Sequence, residues 1–341
     1  MTNKRIDSLQ LLRGIAASLV AMFHLYAAAG AEDYDPGLFK LFKHGEAGVD
    51  IFFVLSGFII FFTASKNTKA GPAYFFKSRF WRIFPPYWAV LALYIAAFLA
   101  SYYIFGDTTR SIDIKTLLAS FALAPIPDQV IIIAWTLSLE LIFYLVFGLS
   151  FFVLGAAGFF VVMCAWVAFS FTTSLYAISV PGFLSLPLNT IVIEFLFGSI
   201  IGYLYINFRP RFQIPALIAG CVLLGLSLAG GFPEVLHLSR EIAFGLPAML
   251  IVYGLSGIDM KLPEWVNTWG ESSYILYLAH LLVYLVVGKI FEIVFSKSIY
   301  SSPALMVFLF LIATVTAYLA NVFLERPYHM WYRRRLVRSQ K

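Results

Sequence analysis

Two cysteines, Cys164 and Cys221, are all that the 341 residues contain, and both sit inside apolar runs. That scarcity argues against a disulfide framework and against a cysteine metal centre. Charge is also sparse. Asp, Glu, Lys and Arg make up 12% of the chain, about half the share usual in a soluble domain. No internal repeat or low-complexity tract is evident, and no polar stretch at either end is long enough for a soluble domain. What fills the chain instead is hydrophobic residues, 61% of the total, with 18% aromatics. The expected class is an all-α polytopic membrane protein. The net charge of +6 does not signal nucleic-acid binding, because most of the basic residues fall in loops on one side.

Runs of spanning length lie at about 8–29, 47–64, 84–105, 130–149, 151–172, 187–206, 214–231, 241–257, 271–295 and 303–324. They predict about ten helices joined by short connections, with the division between the fourth and fifth placed near Gly148. With both termini cytoplasmic, seventeen basic residues fall on the inner side, among them Lys4, Arg5, Lys69, Arg209, Arg333, Arg334, Arg335 and Lys341. Seven fall outside: Lys40, Lys43, Arg110, Lys115, Arg240, Lys289 and Lys297. That bias supports an even number of spans. The N-terminus imitates a secretory signal, but Arg13 and His24 interrupt its apolar region, so the first span is expected to be retained. A single transmembrane domain over 1–341 is expected, ending in a basic cytoplasmic tail at 325–341 with no fused soluble domain.

The ionisable groups inside the spans carry the chemical argument. Arg13 and His24 are eleven residues apart, which returns them to one helix face about 16 Å apart along the axis. A guanidinium and an imidazole in such a helix require partners or a polar cavity. Between the second and third spans, Arg79 and Arg82 are three apart within Phe80 and Trp81 surroundings. They suit either a phosphate gripped by paired guanidiniums or an anchor for anionic lipid headgroups. Pro85 and Pro86 fit the first turn of the third span.

Asp50 near the start of the second span either caps or is solvated there, or belongs to the site. Ser56 and Gly57 read as close helix packing. In the fourth span Thr136, Glu140 and Tyr144 share a face, and Glu140 either ties to an arginine or faces a reaction cavity. Glu194 has no visible polar company. Ser273, Tyr277, His280 and Tyr284 form one stripe of the ninth span, where His280 is either a satisfied interior histidine or a functional one. Tyr328-His329-Met330-Trp331-Tyr332 reads first as an interfacial anchor.

Together these segments resemble the acyltransferase-3 family of integral membrane O-acyltransferases. The likeness covers nearly the whole chain in order: Arg13 to His24, GVDIFFVLSGFII, Arg79-Phe80-Trp81-Arg82, WTLSLELIFY, SYILYLAH and Glu325-Arg326-Pro327. The resemblance implies transfer of an acyl group, often acetyl, from cytoplasmic acyl-CoA to a hydroxyl of a surface or exported carbohydrate or glycolipid. It implies that His24 is the catalytic histidine, Arg13 its motif partner, and Arg79 with Arg82 the pair linked to donor binding. No metal is expected. His24 serves either as general base on the acceptor hydroxyl or as a transient acyl carrier, with Glu140, Asp50 and His280 as candidates for orienting it or the sugar. An extended pantetheine arm running from the arginines to the imidazole is the expected donor path. Membrane lipids surround the protein, and a bacterial inner membrane is the expected location. The rival reading is a transporter or channel whose buried Arg, His and Glu line a polar path.

Overall fold

The computed structural model describes residues 7–67, 71–106, 113–126, 128–208, 210–230 and 239–338. Lys4, Arg5, Lys69, Arg110, Arg209 and Lys341 lie outside the described residues, as does part of the 106–129 connection. Among the described residues every regular element is a helix. The main ones are α1 (Asp7–Ala31), α2 (Ala47–Lys66), α3 (Gly71–Phe105), α4 (Ile114–Phe121), α5 (Trp135–Leu175), α6 (Ile193–Asn207) and α7 (Gln213–Leu228). They continue with α8 (Leu246–Ser256), α9 (Glu264–Glu271), α10 (Ser273–Phe295), α11 (Pro303–Ala320) and α12 (Arg326–Arg338). Among the described residues, seven helical stretches are long and apolar enough to cross a membrane, and the segments holding α7 and α8 are shorter apolar helices. The protein is therefore an all-α polytopic membrane protein.

The fourth and fifth predicted spans form one 41-residue helix, α5, interrupted at Gly155 rather than near Gly148. Gly155 adopts φ 73° and ψ −176°, a region essentially restricted to glycine. Composition alone did not distinguish this glycine from Gly148, whose neighbourhood is instead filled by the Phe76 ring. The third span also differs from expectation. Its helix starts at Gly71, so Pro85 and Pro86 lie inside it, and Arg79 and Arg82 are helical residues rather than loop residues. The tandem prolines cannot donate to the carbonyls of Trp81 and Arg82, four residues earlier.

The chain divides into two compact units. The first comprises 1–63 and 193–324, the second 64–192 and 325–341. In the first, α1 packs against α9, α10 and α11, while α7 lies along α8. Helices α2 and α6 meet through Gly57 and Gly198: a methyl on either would collide with the other helix's backbone. This is the close approach that small residues permit where water supplies no driving force. At the start of α1, Gly14 lies flat on the Trp269 ring of α9, and the Asn267 side chain donates to Asp7 at 3.1 Å. α1 is thereby fixed at one end by α9 and along its length by α10.

In the second unit α4 docks on α3. The Tyr87 hydroxyl donates to the Ser120 carbonyl at 2.8 Å and the Trp88 indole to the Phe121 carbonyl at 2.9 Å. Trp88 and Phe121 also stack, 4.7 Å between centroids. Asp113 caps α4 by accepting from the Thr116 amide at 2.6 Å, and that bond holds its carboxyl below the usual range. The helix pair α3 and α5 encloses an aromatic interior in which Phe75 meets Tyr144 and Phe147.

Candidate active site: a histidine pair and an arginine cluster

In the first unit, α1 and α10 bring His24 and His280 together, although 256 residues separate them in sequence. The Nε2 of His280 lies 3.2 Å from the Nδ1 of His24, and the ring centroids are 5.0 Å apart. Each ring also sits over its own helix. His24 Nδ1 is 2.9 Å from the Val20 carbonyl, and His280 Nδ1 is 2.9 Å from the Leu276 carbonyl.

Because a carbonyl only accepts, these contacts assign the proton of each neutral ring to Nδ1. His280 Nε2 is then a lone pair directed at the Nδ1–H of His24. His24 is left with an unprotonated Nε2, the form a base requires. His280 is almost wholly buried, whereas His24 is only partly so. The pair is framed by Phe23, edge-on to His24 at 5.1 Å, and by Tyr277 and Tyr284 on the His280 stripe. Tyr284 fastens α10 to α1 by donating to the Ala21 carbonyl at 3.1 Å. The predicted stripe of Ser273, Tyr277, His280 and Tyr284 is thus wholly buried, with its imidazole touching that of α1.

Arg13 lies eleven residues before His24 on the same unbroken α1, and its guanidinium donates to Gln10 at 3.3 Å. A cavity of about 590 Å³ adjoins the other end of the helix, lined by Tyr26, Ala27, Gly30, Pro36, Lys40 and Lys43. Lys40 there pairs with Asp35 at 2.8 Å.

Asp50 belongs to a different cluster of the first unit. Arg240 grips it with two bonds, Nε to Oδ1 at 3.1 Å and Nη2 to Oδ2 at 2.6 Å, and reaches the Glu46 carbonyl at 3.2 Å. Glu194, fully buried, lies against Asp50 and within the field of Arg240 and Glu241. The expectation that Glu194 lacks polar company is therefore corrected. Its neighbours come from α2 and from the π-helical turn Glu241–Gly245, distant in sequence, so no local pattern announced them.

In the second unit, α3, α5 and α12 assemble a charged cluster. The Arg79 guanidinium lies between two rings, 5.6 Å from the Phe75 centroid and 5.8 Å from that of Tyr144. Arg82, one turn on, feels Tyr144, Glu140, Tyr332 and Glu325 electrostatically. The Tyr144 hydroxyl donates to Glu140 at 2.5 Å. Glu140 acts on both arginines, which bears on the predicted tie between it and an arginine. Glu325, His329 and Tyr332 were read in the sequence as an exit and an interfacial anchor. The structure buries Glu325 and Tyr332 within reach of Arg82, links both to His329, and leaves Met330, Trp331 and Arg333 to Arg335 exposed. A four- then three-residue spacing of Glu, His and Tyr was the available signal, hidden among aromatics. Among the described residues, no group of three or more His, Cys, Asp or Glu side chains is placed to hold a metal ion.

Comparison with known proteins gives this geometry a context. The acyltransferase-3 family model, described as an acyltransferase domain, matches residues 6–322. The chain is 29% identical over 301 residues to the exopolysaccharide production protein ExoZ of Rhizobium meliloti (strain 1021), covering 84% of this chain and 90% of that protein. Protein 2 in the picA locus of Rhizobium radiobacter is 33% identical over 118 residues, 34% of this chain and 56% of that protein. No solved structure matches the chain.

Proposed function

The chain belongs to the acyltransferase-3 family, and from that membership we propose that it moves an acetyl group from cytoplasmic acetyl-CoA to a hydroxyl of a surface or exported carbohydrate. That it is an integral membrane acyltransferase follows from the family and the apolar helices together. The donor, the acceptor and the roles of single residues are the proposal. The name of the relative from Rhizobium meliloti supports a polysaccharide acceptor. The transporter reading falls away with the family assignment.

The observation that carries the mechanism is the hydrogen bond between the two imidazoles. His24 Nε2 accepts the proton of the acceptor hydroxyl as its oxygen attacks the thioester carbonyl. The C–S bond then breaks, and the proton passes from His24 to the departing thiolate, so the reaction is neutral in protons. His280 stands behind His24 as a positioning residue. Its Nε2 lone pair fixes the ring tautomer and accepts from Nδ1–H when His24 becomes an imidazolium, the role a carboxylate fills in other base pairs. Positioned general bases contribute about 10²–10⁴-fold.

Arg79 and Arg82 bind the phosphates of the donor, with Glu140 as the counter-ion that holds them ready. Arg13, held by Gln10 on the helix that carries His24, adds a second cation for the donor. Asp50 acts at one remove by fixing Arg240, which also donates to the Glu46 carbonyl. The cavity flanked by Lys40 and Lys43 receives the acceptor. The protein works as one catalytic domain over 1–341, in a bacterial inner membrane with both termini cytoplasmic.

The test uses membranes carrying the protein, supplied with acetyl-CoA labelled in its acetyl group. Label appearing in carbohydrate only when the protein is present supports the assignment, and its absence rejects it. Omitting the acceptor separates the two routes: label held covalently by the protein marks an acyl-histidine, and unlabelled protein marks direct transfer.

A further inference from the structure

The prolines of α3 leave the Trp81 carbonyl without its helical partner, and the structure shows what replaces it. The Tyr328 hydroxyl of α12 donates to that carbonyl at 2.8 Å. One side-chain bond thus seats α12 one residue away from Arg82. From that point the inner stripe of α12, with Glu325 at the end of the π-helical turn before it, is set by helical geometry, because Glu325, His329 and Tyr332 fall at four- and three-residue spacing on one face.

They are also linked to one another. His329 Nε2 lies 3.1 Å from Glu325 and its Nδ1 3.1 Å from the Tyr332 hydroxyl. Glu325 and Tyr332 are largely buried and both act on Arg82. The outer face of α12 has the opposite character, with Arg333 to Arg335 exposed and Arg335 resting on Trp331 at 4.5 Å. The exposed basic face of the tail is therefore not the face that bears Glu325 and Tyr332, which act on Arg82.

The inner face has the composition of an oxyanion site under temporary cover. Two guanidiniums, two phenols and an imidazole supply donors, and two carboxylates balance the two guanidiniums. Each carboxylate has its own retaining partner, Tyr144 for Glu140 and His329 for Glu325. An arriving dianion can take guanidinium contacts from the carboxylates without leaving either one bare. That exchange avoids the cost of an unpaired buried charge.

We propose that His329 and Tyr332 complete, with Arg79 and Arg82, a binding site for a phosphomonoester, the terminal phosphate of the nucleotide part of the acyl donor. This rests on acyl-CoA being the donor. The same chemistry would also grip a lipid phosphate, so the test must separate the two sources.

The full chain in nanodiscs, as wild type, His329→Gln and Tyr332→Phe, is assayed with acetyl-CoA and with its 3′-dephospho analogue, in zwitterionic and in anionic lipid. The expected result is a rise of about tenfold in KM for acetyl-CoA in each variant. The dephospho donor, poor already in wild type, should show little further loss. A merely structural role would raise both values alike, and that result overturns the proposal. Unchanged KM values in folded variants overturn it too. Variant losses confined to anionic lipid, with donor KM intact, assign the site to headgroups instead.

A binding measurement on wild type needs no variant to fold. Stabilisation by CoA but much less by dephospho-CoA supports the site, and equal stabilisation by both contradicts it. If wild-type protein neither binds nor uses acetyl-CoA, the donor reading itself fails, an outcome distinct from the others.

Discussion

The histidine pair of the first unit and the arginine cluster of the second solve the problem of ionisable groups in an apolar protein in opposite ways. The first unit pairs two imidazoles, each also satisfied by a carbonyl one helical turn back, so the pair needs no counter-charge. The second keeps two guanidiniums and neutralises them with Glu140 and Glu325, each carboxylate fastened by its own phenol or imidazole. A neutral pair suits a proton that must come and go within one turnover. A charge-balanced cluster suits an anion that must enter, stay and leave. The difference teaches where the sequence is most sensitive: the pair depends on geometry, the cluster on its charge count.

The sharpest way to break the contrast is to upset that count. Replacing Arg79 and Arg82 together by alanine leaves Glu325, buried, and Glu140, partly buried, without cations, and removing one partner of a buried pair costs about 3–5 kcal/mol. The expected outcome is a fall of about 10³-fold in kcat/KM for acetyl-CoA together with a lower melting temperature, read by steady-state kinetics and thermal unfolding. Adding Glu140→Gln should recover part of the stability but not the donor affinity. Loss of stability without that recovery would show that charge balance is not what the carboxylate supplies.

Next in size is the geometric pair. His280→Leu removes the lone pair behind His24 and should lower kcat by about 10–100-fold while leaving donor KM within twofold, since the change touches transition-state charge more than ground-state binding. A KM effect of the same size as the kcat effect would place His280 in substrate binding instead. Smaller still is Gly155→Ala, which asks alanine to adopt a glycine-only conformation and should destabilise the second unit by about 1–3 kcal/mol. Least of all, Tyr328→Phe deprives the Trp81 carbonyl of its donor and should cost about 1 kcal/mol, seen as a modest drop in melting temperature.

Much of this was legible in the chain itself. The Arg13–His24 stripe is a statement about helical period, and α1 runs through both residues unbroken. The stripe of Tyr277, His280 and Tyr284 was equally readable, but nothing in it says that α1 is the helix it faces. The break in α5 was misplaced because hydropathy marks a long apolar run without showing which of its glycines takes a positive φ. Pro85 and Pro86 signal a helix start in isolation. Here a hydroxyl 247 residues beyond Trp81 occupies the carbonyl they free, which a local reading does not see. The aromatic tail concealed a polar stripe for a related reason: periodicity counted its rings, and only the packing separates the face bearing His329 from the face bearing Trp331.

The central claim is that the Nε2 of His24 takes the acceptor's proton, and the labelled-acetyl assay on His24→Ala examines it most directly. Membranes holding the folded variant should bind acetyl-CoA as wild type does yet transfer label to carbohydrate at least about 10²-fold more slowly. Transfer at a rate near that of wild type would contradict the account.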